Sequence, residues 1–232
     1  MTTTRIRRCG EAALLLECAD LAEAVTLAEE VQRSLPEAVD VVAGARTVLV
    51  TAPHADALPA LRRRLESLLS SHRNPHPGVA DAGGGSGVAA GGRPEIVIDV
   101  RYDGPELPAI ADLAGMSVEA LVRRHTSITW RAAFGGFAPG FFYLVDAREL
   151  ADTPGPTPGI EPLPAVPRLG SPRTRVPAGS VGLAARFWAV YPGASPGGWQ
   201  LIGSTTARLW DSDRPEPALL APGMTIRFRE RR

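Results

Sequence analysis

Three stretches of this chain carry residue types that could do chemistry. In PRLGSPRTRVPAGSVGLA (167–184), Arg173 and Arg175 stand two residues apart, with Arg168 just before them. On an extended strand alternate side chains share a face, so the two guanidiniums can together hold a carboxylate or phosphate bidentately. The same pair on a solvated face would bind nothing. Pro177, Gly179 and Gly182 shape a turn that leaves Ser180 free to donate or accept; without a G-x-S-x-G elbow it is no nucleophile. In YPGASPGGWQLIGST (191–205), Gly197 and Gly198 can offer successive backbone N–H groups to an anion, or simply turn a hairpin. Gln200 and Thr205 follow as polar candidates. His125 precedes Thr126, Ser127 and Thr129 at a helix end, where it either caps the dipole or, at the mouth of a barrel, acts as general acid or base.

The third stretch is GGFAPGFFYL (135–144). Four of the six Phe residues fall between Phe134 and Phe142, interleaved with Gly and Pro. Phe137, Pro139, Gly140 and Phe141 are either core or the wall of a site, and periodicity does not separate these readings.

Composition removes several mechanisms. All 25 basic residues are Arg, so there is no Walker lysine, no Schiff base and no biotinylated lysine on this chain. The 25 acidic residues balance them, and no Arg-rich stretch suggests a nucleic-acid groove. Cys9 and Cys18 form no metal-binding spacing and read as small hydrophobes in a core. His72 and His76 have helical ligand spacing, but Asn74 and Pro75 between them break the helix, so no metal site is expected. The apolar run near the N-terminus is too short for a signal segment, which predicts a cytoplasmic protein with no membrane span.

These candidates need a scaffold. Residues 81–92, DAGGGSGVAAGG, have no large apolar residue with which to offset ordering entropy, so a linker over 77–94 separates domains at 1–76 and 95–232. The first reads as strands at 4–9 and 12–18, then a helix over 21–34 with Asp20 as N-cap and Glu23 three residues on. Two strands around Gly44 and a second amphipathic helix complete a small α+β domain. In the second domain EIVIDV is a strand and Ser117 caps a short helix ending at His125. Beyond Thr126, recurrent Gly and Pro limit the chain to short strands and tight turns, which favours a closed or nearly closed β-barrel.

In this order and spacing, the motifs resemble the B-subunit family of bacterial 5-oxoprolinases, also described as KipI-like or allophanate hydrolase subunit 1. The resemblance rests on His125-Thr126, Gly136 to Leu144, Pro172 to Gly182, Tyr191-Pro192 and Pro196 to Thr205. It spans nearly the whole chain except the linker. It implies an α+β fold whose second domain is a cyclophilin-like β-barrel. It also implies a hetero-oligomer with a KipA-like partner (the C subunit) and a lactam-opening partner (the A subunit), which cleaves 5-oxo-L-proline to L-glutamate with hydrolysis of ATP, supplied with Mg. On that reading the catalytic candidates are His125, Arg175 and Gln200, and Arg173, Ser180, Gly197, Gly198 and Thr205 contact substrate or nucleotide. The same resemblance admits an inhibitor of a sensor histidine kinase, or a module of urea and allophanate metabolism. The sequence departs from the family at Val145-Asp146, where relatives have a Gly pair, and at Phe187-Trp188, which replace two polar residues with bulky aromatics. Were the latter strand to line the pocket, substrate choice would change with it.

Overall fold

The computed structural model describes residues 4–73, 95–150, 163 and 165–231. The chain divides into two units, 1–92 and 93–232; the expected linker over 77–94 lies outside the described residues, as do the side chains of His72 and His76.

In the first unit, β1 (Arg5–Cys9) and β2 (Ala13–Glu17) pair antiparallel through a turn at Gly10, where a φ of 65° suits glycine. Helix α1 (Leu21–Ser34) starts where its cap predicts: Asp20 accepts from the Glu23 N–H at 2.9 Å, and the Glu23 carboxylate reaches back to the Ala19 N–H. Strands β3 (Asp40–Ala43) and β4 (Thr47–Thr51) and helix α2 (Leu58–Arg73) complete it. The sheet order is β1-β2-β4-β3. Period-two alternation sends Leu14, Leu16, Val48 and Val50 to one face, where Ala24, Leu27, Ala28 and Val31 of α1 and Leu58, Leu61 and Leu65 of α2 cover them. Cys18 is in this core, where burial, with the Glu23 and Asp20 carboxylates behind it, pushes its thiol up to about 12. Cys9 corrects the core expectation: it lies exposed at the end of an edge strand.

The second unit is built on β5 (Ile96–Val100), α3 (Leu107–Leu113), α4 (Val118–Ser127), β6 (Trp130–Gly135), β7 (Phe142–Asp146), β8 (Arg173–Val176), β9 (Ser180–Ala184), β10 (Phe187–Val190), β11 (Ser195–Gly197), β12 (Gln200–Ser204) and β13 (Thr225–Glu230). Seven strands form one sheet, in the order β12-β9-β10-β7-β6-β13-β5. Its two ends meet where Arg101 and Ser204 exchange backbone hydrogen bonds of 2.8 Å, which makes the sheet a nearly closed barrel. This seam requires Gly203, because a Cβ there would stand 2.4 Å from the Arg101 carbonyl oxygen. The architecture is α+β, a small helix-and-strand domain followed by a cyclophilin-like barrel.

Alternation sorts each barrel strand between two cores. Phe142, Leu144, Val181, Leu183, Trp188, Val190 and Ile202 join a cluster that also takes Leu107 and Ile110 of α3 and Leu121 and Val122 of α4. Phe141, Ala184, Ala189, Tyr191, Trp199 and Leu201 form a separate cluster with Val176 of β8, and Tyr143 packs against it. The β8–β11 ribbon contributes to this second cluster rather than to the main sheet. A register shift between Ala132 and Phe134 moves Phe134 opposite Tyr143, so that its ring stacks on the tyrosine at 4.4 Å instead of joining Trp130 and Ala132 in the first cluster.

Candidate functional site

The three stretches converge on the second cluster. Phe141 is buried, and its ring lies edge-on to Tyr143 (5.2 Å), Tyr191 (5.4 Å) and Trp199 (5.5 Å). Phe187, one of the departures from the family pattern, packs edge-on to Phe134 and Tyr143 in the same layer. Its neighbour Trp188 points the other way, into the first cluster. Only Phe187 therefore alters this aromatic layer. Phe137 stands at its rim, 63% exposed, with its ring edge-on to Phe141 and Tyr191.

The polar groups are arranged around the aromatics. Arg173 donates to the Trp199 carbonyl at 3.2 Å and pairs with Glu106, whose second carboxylate oxygen accepts from the Leu201 N–H at 2.8 Å. Glu106 thereby ties the β8–β11 ribbon to β12 and neutralises Arg173. That corrects the expectation of two arginines jointly open to an anion: Arg173 is a structural cation, and Arg175 alone of the pair is exposed, with no carboxylate partner among the described residues. Arg168, also exposed, lies near the Tyr191 hydroxyl. Burial pushes that hydroxyl up, with opposing contributions from the Trp199 backbone, Arg168 and Arg173. Gln200 donates to the Pro167 carbonyl at 2.8 Å, which fixes the approach of the 167–172 segment.

Gly197 and Gly198 do not form an open anion-binding turn. Gly197 pairs with Arg173 in the ribbon, and a Cβ on it would stand 2.6 Å from the Tyr191 hydroxyl, so close packing is what requires glycine there. The Gly198 carbonyl accepts from the Leu169 N–H at 2.8 Å. Ser180 is buried, and Thr205 binds back through its N–H to the Gly179 carbonyl. Thr205 lines a different feature, a cleft of about 520 Å³ at the barrel seam shared with Asp99, Arg101, Ser204, Thr206 and Arg231. Pro139 and Gly140 belong to the turn below Phe137, with Gly140 at φ 78° beneath Trp210.

His125 is not at a barrel mouth. It is 0% exposed, enclosed by Trp130, Trp188 and Phe228 at centroid distances of 4.5 to 5.1 Å. Its Nδ1 meets the Tyr102 hydroxyl at 2.7 Å, its carbonyl accepts from the Trp130 indole, and its Nε2 has no partner among the described residues. Burial pulls its pKa down to about 3, so the ring is neutral and serves as core rather than as acid or base. Sequence reasoning missed Glu106, which stands 67 residues before Arg173 and just ahead of the unpredicted short helix α3. The only local signal was an acid between two prolines in GPELP, and nothing in the spacing links it to the ribbon. Among the described residues no cluster of His, Cys, Asp or Glu could hold a metal, and no helix is long and apolar enough to cross a membrane. The site thus presents exposed Arg168 and Arg175 beside an aromatic layer that is buried or half-buried except at Phe137. The arginines can neutralise an anion, and among the described residues no nucleophile here is paired with a base.

Residues 4–220 match the family described as carboxyltransferase domain, subdomain C and D, and the chain belongs to that family. Within it, the chain is 34% identical to the B subunit of 5-oxoprolinase from Escherichia coli O157:H7, over 98% of this chain and 96% of that protein. Among solved structures, TTHA0988 superposes with a TM-score of 0.68 at 29% identity, covering 95% of this chain; this chain spans only 40% of the length of that one. The urea carboxylase of Kluyveromyces lactis shares the fold, with a TM-score of 0.65 at 17% identity over 99% of this chain and 22% of that one.

Proposed function

We propose that this chain is the B subunit of a cytoplasmic, ATP-dependent 5-oxoprolinase, which with a KipA-like C subunit plus a lactam-opening A subunit converts 5-oxo-L-proline to L-glutamate. The observation that carries this reading is near-full-length similarity to a protein named as the B subunit of 5-oxoprolinase, 96% of which is matched. The site supports it in kind. The one carboxylate of a small lactam suits the exposed guanidiniums of Arg168 and Arg175. In the assembly, this chain binds and orients substrate or nucleotide, and Arg175 neutralises the carboxylate or phosphate. Mg would accompany ATP and supply charge neutralisation at its phosphates; among the described residues no cluster of three or more acidic, His or Cys side chains stands ready to hold it. Bound ATP supplies the activation that makes lactam opening downhill.

The test is reconstitution: purify this chain with its KipA-like and lactam-opening partners and measure glutamate release from 5-oxoproline with and without ATP. Release only with ATP and all three chains is expected. A stable complex of folded chains that releases no glutamate refutes the reading.

A further inference from the structure

The 136–141 turn is built in a way that the barrel does not need. Phe137 adopts φ 71°, a left-handed backbone that strains a bulky L-residue. Glycines stand at 135, 136 and 140, so chain geometry alone would favour glycine at 137 as well. The phenyl nonetheless faces outward, 63% exposed. The turn beneath it is closed by backbone bonds from Gly136 N–H to the Phe141 carbonyl (3.1 Å), Ala138 N–H to the Gly136 carbonyl (2.9 Å) and Phe141 N–H to the Ala138 carbonyl (3.0 Å). The ring is therefore presented on a fixed support.

A second exposed aromatic adjoins the same turn. Trp210 is 40% exposed, and its Cβ would lie 2.9 Å from a Cβ on Gly140. Around it, Asp211 pairs with Arg208 at 3.1 Å and with Arg214 at 3.4 Å. Aromatic anchors beside a charged rim are the anatomy of a protein–protein interface. Phe137 is also edge-on to Tyr191 and Phe141, so whatever covers it also covers the edge of the candidate site.

We infer that Phe137 and Trp210 are the docking anchors for a second polypeptide, the one that supplies the parts of a carboxyltransferase domain beyond subdomains C and D. The inference rests on the reading that this chain works in an assembly. The matching region of TTHA0988 is part of a much longer chain, whereas the E. coli relative bears the name of one subunit, matched over nearly its whole length. The rest of the longer chain is covalently joined in the first case and would be a separate chain in the second, and Phe137 and Trp210 are the large aromatics that the described residues leave exposed to meet it. The occupant presents an apolar socket for the phenyl ring, with polar groups facing Arg208 and Arg214.

The experiment uses the full chain and, as probe, the purified full-length KipA-like partner of the proposed complex. Binding is measured by titration calorimetry for the wild type, Phe137→Gly, Trp210→Ala and, as an exposed apolar control on β5, Val97→Thr. Phe137→Gly removes the ring and relieves the backbone, so its melting temperature should match or exceed that of the wild type. A rise in Kd of tenfold or more for Phe137→Gly and for Trp210→Ala, with Val97→Thr within twofold, is the expected result. A change below tenfold for Phe137→Gly overturns the inference while leaving assembly intact. Failure of the wild type to bind the probe at all instead removes the assembly reading on which it rests. If light scattering shows the chain alone to be a dimer that Phe137→Gly dissociates, the occupant is a second copy and the inference falls.

Discussion

The enclosed imidazole of His125 makes stability depend on pH in a defined way. Its pKa is about 3 in the folded chain, against about 6.5 when unfolded, so the unfolded state binds the proton more readily. The contribution of this group is complete above pH 6.5 and is lost as pH falls from there toward 3. At pH 4.5 the unfolded imidazole is protonated about a hundredfold over neutral and the folded one is not, which costs about 3 kcal/mol of stability. For a domain of this size that lowers the melting temperature by roughly 5–10 °C. Other carboxylates also weaken in acid, so the measurement must be differential. His125→Phe keeps an aromatic ring against Trp130, Trp188 and Phe228 but cannot titrate; at pH 7.5 it should cost about 1–2 kcal/mol, through the unpaired Tyr102 hydroxyl. All four Trp residues lie beyond residue 92, so intrinsic fluorescence during urea unfolding follows the second unit alone. Between pH 7.5 and 4.5 the wild type should lose about 3 kcal/mol more than His125→Phe. Parallel losses, within about 0.5 kcal/mol, would refute the assignment of a buried neutral imidazole.

Three further outcomes follow from the site and its supports. Glu106→Ala should lower the stability of the second unit by about 2–3 kcal/mol, and Arg173→Ala by a similar amount, with the double variant costing little more than either, as a urea-unfolding cycle would show; full additivity would mean that the pair is not a tie. Arg175→Ala should leave the melting temperature within about 1–2 °C, because the side chain is exposed, while reducing turnover of the reconstituted complex by about tenfold or more; unchanged turnover moves the anion site elsewhere. A thiol reagent at pH 8 should label Cys9 rapidly and Cys18 only on unfolding, giving one fast site per chain by mass spectrometry; two fast sites would contradict the buried, raised thiol.

What could be read in advance was local. The start of α1 at Leu21 follows from Asp20 and Glu23 within four residues, and the split of Phe141 and Tyr143 from Phe142 and Leu144 follows from strand alternation. The Gly and Pro spacing already pointed to short strands closing on themselves. What failed was long-range. Whether His125 caps a helix in solvent or fills a core depends on Tyr102, Trp130, Trp188 and Phe228, which come from separate segments and meet only when the barrel closes. Arg173 looked available because Glu106 lies 67 residues away and no local pattern connects them. The single extra residue between Ala132 and Phe134 takes Phe134 out of the first cluster and onto the Tyr143 ring, a change that strict alternation cannot foresee. These failures share a direction. Each polar group whose type suggested chemistry, His125, Arg173, Gln200 and the Gly197–Gly198 turn, is engaged in holding segments of the barrel together. The exposed groups that remain, Arg168 and Arg175, can bind charge but cannot activate a nucleophile. On the proposed function, a chain built this way binds and orients its ligand while side chains of its partners perform the chemistry.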